Sequence, residues 1–126
     1  MPSDRDYDVR RGSARARGYT AEWDRASLAF KCEHPLCLGC EAEGRLAPTE
    51  VVDHVIPHKG NAALFWDRSR WQPCCRWHHD VVKQLLEQRL AHGTVTEADL
   101  WLNSPLALAI AKRERAVIGD DGWPIG

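Results

Sequence analysis

The sequence has little with which to fill a core: two Phe, two Tyr and one Met in 126 residues. A chain of this length makes one domain with tails, and a core this thin needs a staple, for which a structural metal is one route. It also lacks net charge. Lys and Arg number 17 against 18 Asp and Glu, so the formal charge is -1 with neutral His. Global charge therefore does not announce a polyanionic partner, and any such surface must come from local clustering. No apolar run reaches the length of a membrane span or a signal peptide, and the N-terminus is polar. The expectation is a cytoplasmic protein with no membrane partner. An even cysteine count is missing too: the five Cys, at positions 32, 37, 40, 74 and 75, do not make a disulfide framework. In a reducing compartment, clustered Cys more often bind metal. Tryptophan, by contrast, is plentiful, with six copies, and can build a core or stack on sugars and bases.

Residues 1–19 show no apolar period and carry Arg10, Arg11, Arg15 and Arg17 among glycines and a serine. They read as a basic, flexible arm able to grip phosphates. Thr20 to Cys32 reads as a helix, with Thr20 as N-cap, Glu22 and Asp24 in the first turn, and Trp23, Ala26 and Phe30 on one face. Pro35 ends it. Thr49 to Ile56 is the best strand, rich in β-branched residues. A loop follows to about Ser69, with Leu64-Phe65-Trp66 packing it down. Arg70-Trp71-Gln72 then closes a hairpin with the first strand. A helix is expected from Cys75 to about Leu90 and a helical turn over Glu97 to Leu102. A last helix spans Leu106 to about Ile118, opened by Ser104-Pro105. The chain has no internal repeat.

Two ligand pairs bracket the strand. Cys37-x-x-Cys40 and Cys75-x-x-His78, with 34 residues between them, have the spacing of a tetrahedral structural zinc site. The register is not unique: Cys74 or His79 could replace its neighbour. Cys75 and His78 are preferred because they repeat the spacing of the first pair and leave His79 over. Cys32 and Cys74 are then expected as small buried residues. Between the pairs lies Val51-Val52-Asp53-His54-Val55-Ile56-Pro57-His58, where an acid and an imidazole sit side by side among apolar residues and need partners if buried.

Several segments carry a resemblance in order and spacing: His34-Pro35-Leu36-Cys37-Leu38-Gly39-Cys40, Val52-Asp53-His54-Val55-Ile56-Pro57-His58-Lys59-Gly60, Leu64-Phe65-Trp66-Asp67, Trp71-Gln72-Pro73, and His79-Asp80. The stretch Ile118-Gly119-Asp120-Asp121-Gly122-Trp123-Pro124 adds to it. Over about half its length the chain resembles a phage-type HNH endonuclease, of the His-Me finger or ββα-metal class. The resemblance implies an α+β fold: a small zinc-stapled ββα-metal core over residues 20–92, flanked by helices, with a C-terminal helical extension and tail over 93–126. It implies metal-dependent hydrolysis of DNA phosphodiester bonds, nicking or cutting duplex DNA. His54 would be the general base, and Asp53 and His79 would hold a catalytic divalent cation such as Mg2+ or Mn2+, separate from the structural Zn2+. Such proteins often sit near the DNA-packaging genes of tailed phages or prophages, which makes a terminase a candidate partner beside DNA and a bacterial host cell the setting.

The chemistry agrees from below. A neutral imidazole near pH 7 can take a proton from water, and a cation on one carboxylate and one His keeps positions open for phosphate oxygens. Successive strand residues face opposite ways, so Asp53 and His54 serve one site only if the strand ends there. Lys59, Arg70 and Lys83 are candidate phosphate contacts, and His58 a loop brace. One departure stands out: Arg70 occupies the position of the family's middle Asn, whose amide Arg cannot reproduce. Either Arg70 binds phosphate or Asn61 braces the loop instead. His78 where a fourth Cys is usual is a second departure, one that zinc accepts. Rival readings are a catalytically impaired zinc-stapled DNA-binding module and a zinc-stabilised protein-interaction domain.

Overall fold

The computed structural model describes residues 20–118, so the expected basic arm and the Gly119–Gly126 tail lie outside the described residues. Among the described residues the fold is α+β, with one two-stranded antiparallel sheet. Helix α1 (Ala21–Glu33) is capped by Thr20, whose hydroxyl accepts from the Trp23 amide at 3.4 Å. Its buried residues, Trp23 and Phe30, are two of the expected aromatic stripe. A short turn of helix, α2 (Leu38–Ala42), follows the first cysteine.

Strands β1 (Val51–His54) and β2 (Trp71–Cys74) pair with Val51 opposite Cys74, Asp53 opposite Gln72 and His54 opposite Trp71. The sheet is shorter than the apolar run 49–56 predicts. Arg70 falls in a 3-10 turn (Arg68–Arg70) before β2 rather than in the strand. Alternation along β1 divides the residues between two cores. Val52 packs with Trp71, Phe65, Trp23 and Phe30 against α1. Val51 and Cys74 join the larger cluster made with Val82, Leu86, Leu100, Leu102 and Ile110.

The loop between the strands contains a short helix, α3 (Ala62–Phe65), instead of irregular chain. Beyond β2, the expected single helix is in two parts: a π-helical turn (His78–Lys83) leads into α4 (Gln84–Ala91). A 3-10 turn (Glu97–Leu100) precedes α5 (Pro105–Ile118). Ser104 caps α5 as expected, its hydroxyl accepting from the Ala107 amide at 3.0 Å. Leu100, Leu102, Ala107, Ile110 and Ala111 of this C-terminal segment are core residues, so it completes the domain it follows in sequence. Among the described residues no helix is long and apolar enough to cross a membrane.

Candidate active site and metal centre

Cys37, Cys40, Cys75 and His78 form a buried cluster whose ligand atoms all lie within 4.8 Å of one another. His78 Nδ1 is 3.6, 3.5 and 3.4 Å from the sulfurs of Cys37, Cys40 and Cys75, and the Cys40 and Cys75 sulfurs are 3.8 Å apart. A tetrahedral ion about 2.3 Å from sulfur and about 2.0 Å from nitrogen has edges of roughly 3.8 Å between sulfurs and roughly 3.5 Å from sulfur to nitrogen. The donor set therefore fits a tetrahedral metal ion such as zinc. Turn amides support it: the Cys40 and His78 amides donate to the Cys37 and Cys75 sulfurs. Burial pushes the Cys40 thiol up, a hydrogen bond with Cys37 pushes Cys75 up to about 11, and the same contact lowers Cys37. Three thiolates share this pocket only with a cation among them.

The register follows the repeated spacing. Cys74 is buried outside the cluster, its thiol directed at the Val51 carbonyl, and burial raises its pKa strongly. Cys32 is exposed, against the expectation that it would be buried: it lies on the outer face of α1, away from the Trp23–Phe30 stripe.

The sequence pattern did not single out the surroundings of His78. Its Nε2 lies 2.9 Å from Glu43 Oε1, outside hydrogen-bond geometry. Arg115 of α5 grips the same carboxylate at 2.6 and 3.2 Å, and its guanidinium lies over the Trp77 ring at 4.0 Å. Gly39 has no room for a side chain: an added Cβ would sit 2.3 Å from His78 Cδ2. A glycine between two cysteines was the one available signal.

The second site lies at the end of β1. His54 and Asp53 point from opposite faces of the strand, yet both line one open cleft of about 730 Å³ together with His79. His54 is the last residue of β1, which is how adjacent residues reach a common space. His54 Nε2 is 3.0 Å from the Phe65 carbonyl, which also accepts from the Trp71 indole at 2.9 Å. A carbonyl only accepts, so Nε2 carries the proton and Nδ1 is the basic nitrogen. The ring stacks on Trp23 with centroids 5.0 Å apart and 23° between planes. Burial lowers the His54 pKa from its ordinary value, favouring neutral imidazole at pH 7.

Asn61 caps α3, its side-chain oxygen accepting from the Leu64 amide at 3.1 Å, and so fixes the turn that presents the Phe65 carbonyl. This is the bracing expected of Asn61. It hangs on a tight turn in which Lys59 and Gly60 both have positive φ, 48° and 83°, and the Asn61 amide donates to the His58 carbonyl at 2.8 Å. His58 is a brace as well: its Nδ1 accepts from the Gly60 amide, and its ring lies edge-on to His54 at 4.9 Å.

On the far side of the cleft, His79 Nε2 is 3.8 Å from Asp53 Oδ1, while its Nδ1 is 2.9 Å from Asp80 Oδ1. His79 thus lies between two carboxylates, with Nδ1 against Asp80 and Nε2 toward Asp53. Asp53 and His79, a carboxylate and an imidazole with cleft beside them, suit a divalent cation with open positions.

The expected phosphate contacts divide. Lys59 lines the cleft, as do Lys31 and Arg76, which the sequence did not single out. Arg70 does not: it pairs with Asp67 at 3.6 Å and borders a separate shallow cleft beside Trp101. Lys83 is a correction. It is 0% exposed, with Nζ 3.0 Å from Asp53 Oδ2 and 2.9 Å from the His54 carbonyl, so it is the buried counter-charge of Asp53. No surface phosphate contact is open to it. Arg10, Arg11, Arg15 and Arg17 lie outside the described residues. No family model, curated protein or solved structure matches the chain.

Proposed function

We propose that the chain is a metal-dependent DNA endonuclease with a His-Me finger (ββα-metal) core, in which the Cys3His cluster holds a structural zinc ion. The observation that carries this reading is the setting of His54. Its Nε2–H is tied to the Phe65 carbonyl, which leaves Nδ1 to accept a proton, and the Asp53–His79 pair opens into the same cleft. A purely structural histidine gains nothing from a carboxylate and a second imidazole lining the same open cleft.

In this mechanism His54 Nδ1 takes the proton of the attacking water. Asp53 and His79 would hold a divalent cation such as Mg2+ or Mn2+, which would supply Lewis-acid chemistry at the phosphate. Asp80 orients His79, and Trp23 and Phe65 keep the His54 ring in place. Lys31, Lys59 and Arg76 would be the phosphate contacts, set among Asp24, Glu50 and Glu87 on the same walls, which leaves the cleft without a net positive charge. Affinity is therefore expected to lean on few phosphate contacts and to weaken with salt. A place in phage DNA packaging, with a terminase as partner, belongs to the same proposal and rests on the sequence resemblance alone.

The test is nicking of supercoiled plasmid at low salt by wild type and His54→Ala, with EDTA, Mg2+, Mn2+ or Ni2+. Cation-dependent nicking that the substitution abolishes supports the proposal. DNA binding with no nicking under any cation would replace it with the DNA-binding module.

A further inference from the structure

We infer that Lys83 and Gln72 confine Asp53 to one coordinating oxygen and so bias the Asp53–His79 site toward small octahedral cations and against calcium. The inference rests on the proposed cation site and concerns which ion that site accepts.

The two oxygens of Asp53 have different fates. Oδ2 receives the Gln72 amide at 2.9 Å and the Lys83 ammonium at 3.0 Å. Oδ1 is the one beside His79 Nε2. Neither Oδ2 donor can easily let go. Gln72 is completely buried and fully committed: its amide also donates to the Leu100 carbonyl at 3.2 Å, and its oxygen accepts from the Leu102 amide at 2.8 Å. Lys83 is equally buried, and its other partners are the His54 carbonyl at 2.9 Å and Glu87 at 3.5 Å. Turning Asp53 to present both oxygens would strip a buried ammonium of its nearest counter-charge and orphan a buried amide, a costly outcome for both groups.

Mg2+ and Mn2+ accept single carboxylate oxygens in octahedral sites. Ca2+ takes six to eight oxygens, commonly with a bidentate carboxylate, and gains affinity with ligand charge. A carboxylate held to one oxygen and half-neutralised by an ammonium answers the first requirement and not the second. Lys83 and Gln72 are thus positioning residues, acting through Asp53.

The experiment uses the full chain, with Mn2+ bound and followed by its EPR signal, Ca2+ as competitor, and His79→Ala to identify the site. In Lys83→Met, calcium should compete at least about tenfold better relative to manganese than in wild type. An unchanged ratio, with Mn2+ binding still dependent on His79, overturns the inference and leaves the endonuclease reading intact. Mn2+ binding indifferent to His79→Ala overturns both. Should Lys83→Met not fold, a crystal structure of the wild type loaded with Ca2+ decides: one Asp53 oxygen on the ion supports the inference, and two overturn it.

Discussion

His54 shows how a single side chain acquires a role from its neighbours. Its ring is half a core residue, stacked on Trp23, and half a cleft residue. His54→Ala should lower nicking by a factor on the order of 10² to 10⁴, with the far-UV CD spectrum and bound zinc unchanged. Its pKa is lowered by burial, so the basic form persists below the ordinary range near 6.5. The acid limb of the pH–rate profile should fall below that value, and NMR titration of the imidazole identifies the group. The linkage has a definite sign: the unfolded chain takes up this proton first. Stability contributed by neutral His54 is therefore complete above about 6.5 and is lost as pH falls toward the folded-state value. Gly39 is the opposite kind of residue, needed for what it lacks. Gly39→Ala would drive a methyl group into the His78 ring, and release of zinc to a chromogenic chelator should be much faster than from wild type.

At the scale of elements, the hairpin loop and the π-helical turn decide the site. The loop's short helix α3 turns on Asn61, and Asn61→Ala removes a cap worth about 1 kcal/mol. Because the Phe65 carbonyl then loses its fixed position, nicking should fall while cation affinity at Asp53 and His79 stays the same, which separates a base-positioning effect from a ligand effect. Arg70 is expected to matter little: its side chain lies on Asp67, outside the His54 cleft, so Arg70→Asn should leave nicking within about twofold of wild type, surface changes of this kind being nearly neutral. A sequence pattern of 3.6 residues had pointed to one continuous helix from Cys75. The π-helical turn inside it is invisible to periodicity, because apolar spacing over six residues does not distinguish the two geometries. Lys83 is the last residue of that turn and lies beneath Asp53 rather than on the surface.

At the scale of the molecule, the C-terminal segment binds the two sites together. Leu100 and Leu102 hold Gln72, and Gln72 holds Asp53. Arg115 reaches back from α5 to Glu43 and Trp77 at the metal centre. Arg115→Ala should lower the melting temperature and raise the rate of zinc loss, with the guanidinium's stacking and its bidentate pair both gone. Zinc removal by a strong chelator should unfold the domain and not merely inactivate it, since the cluster joins α2, the residue directly after β2 and the π-helical turn. Lower pH should assist the chelator, because protons compete for the three thiolates; the melting temperature measured against pH with and without chelator checks this.

The sequence alone determined which residues could meet. The C-x2-C and C-x2-H spacings named the four members of the buried Cys3His cluster, an aromatic stripe named the face of α1 that packs, and an Asp-His pair at the end of a β-branched run named the candidate site. Spacing suffices there because the participants are close in the chain and their chemistry is distinctive. Tertiary structure decided everything that depends on approach from afar. Glu43 and Arg115 are 72 residues apart, Gln72 and Leu102 are 30, and nothing local to either end marks the contact. It also decided the state of Lys83, since burial of a charged side chain is settled by whether a distant carboxylate waits for it, and only the folded sheet and the π-helical turn put Asp53 there.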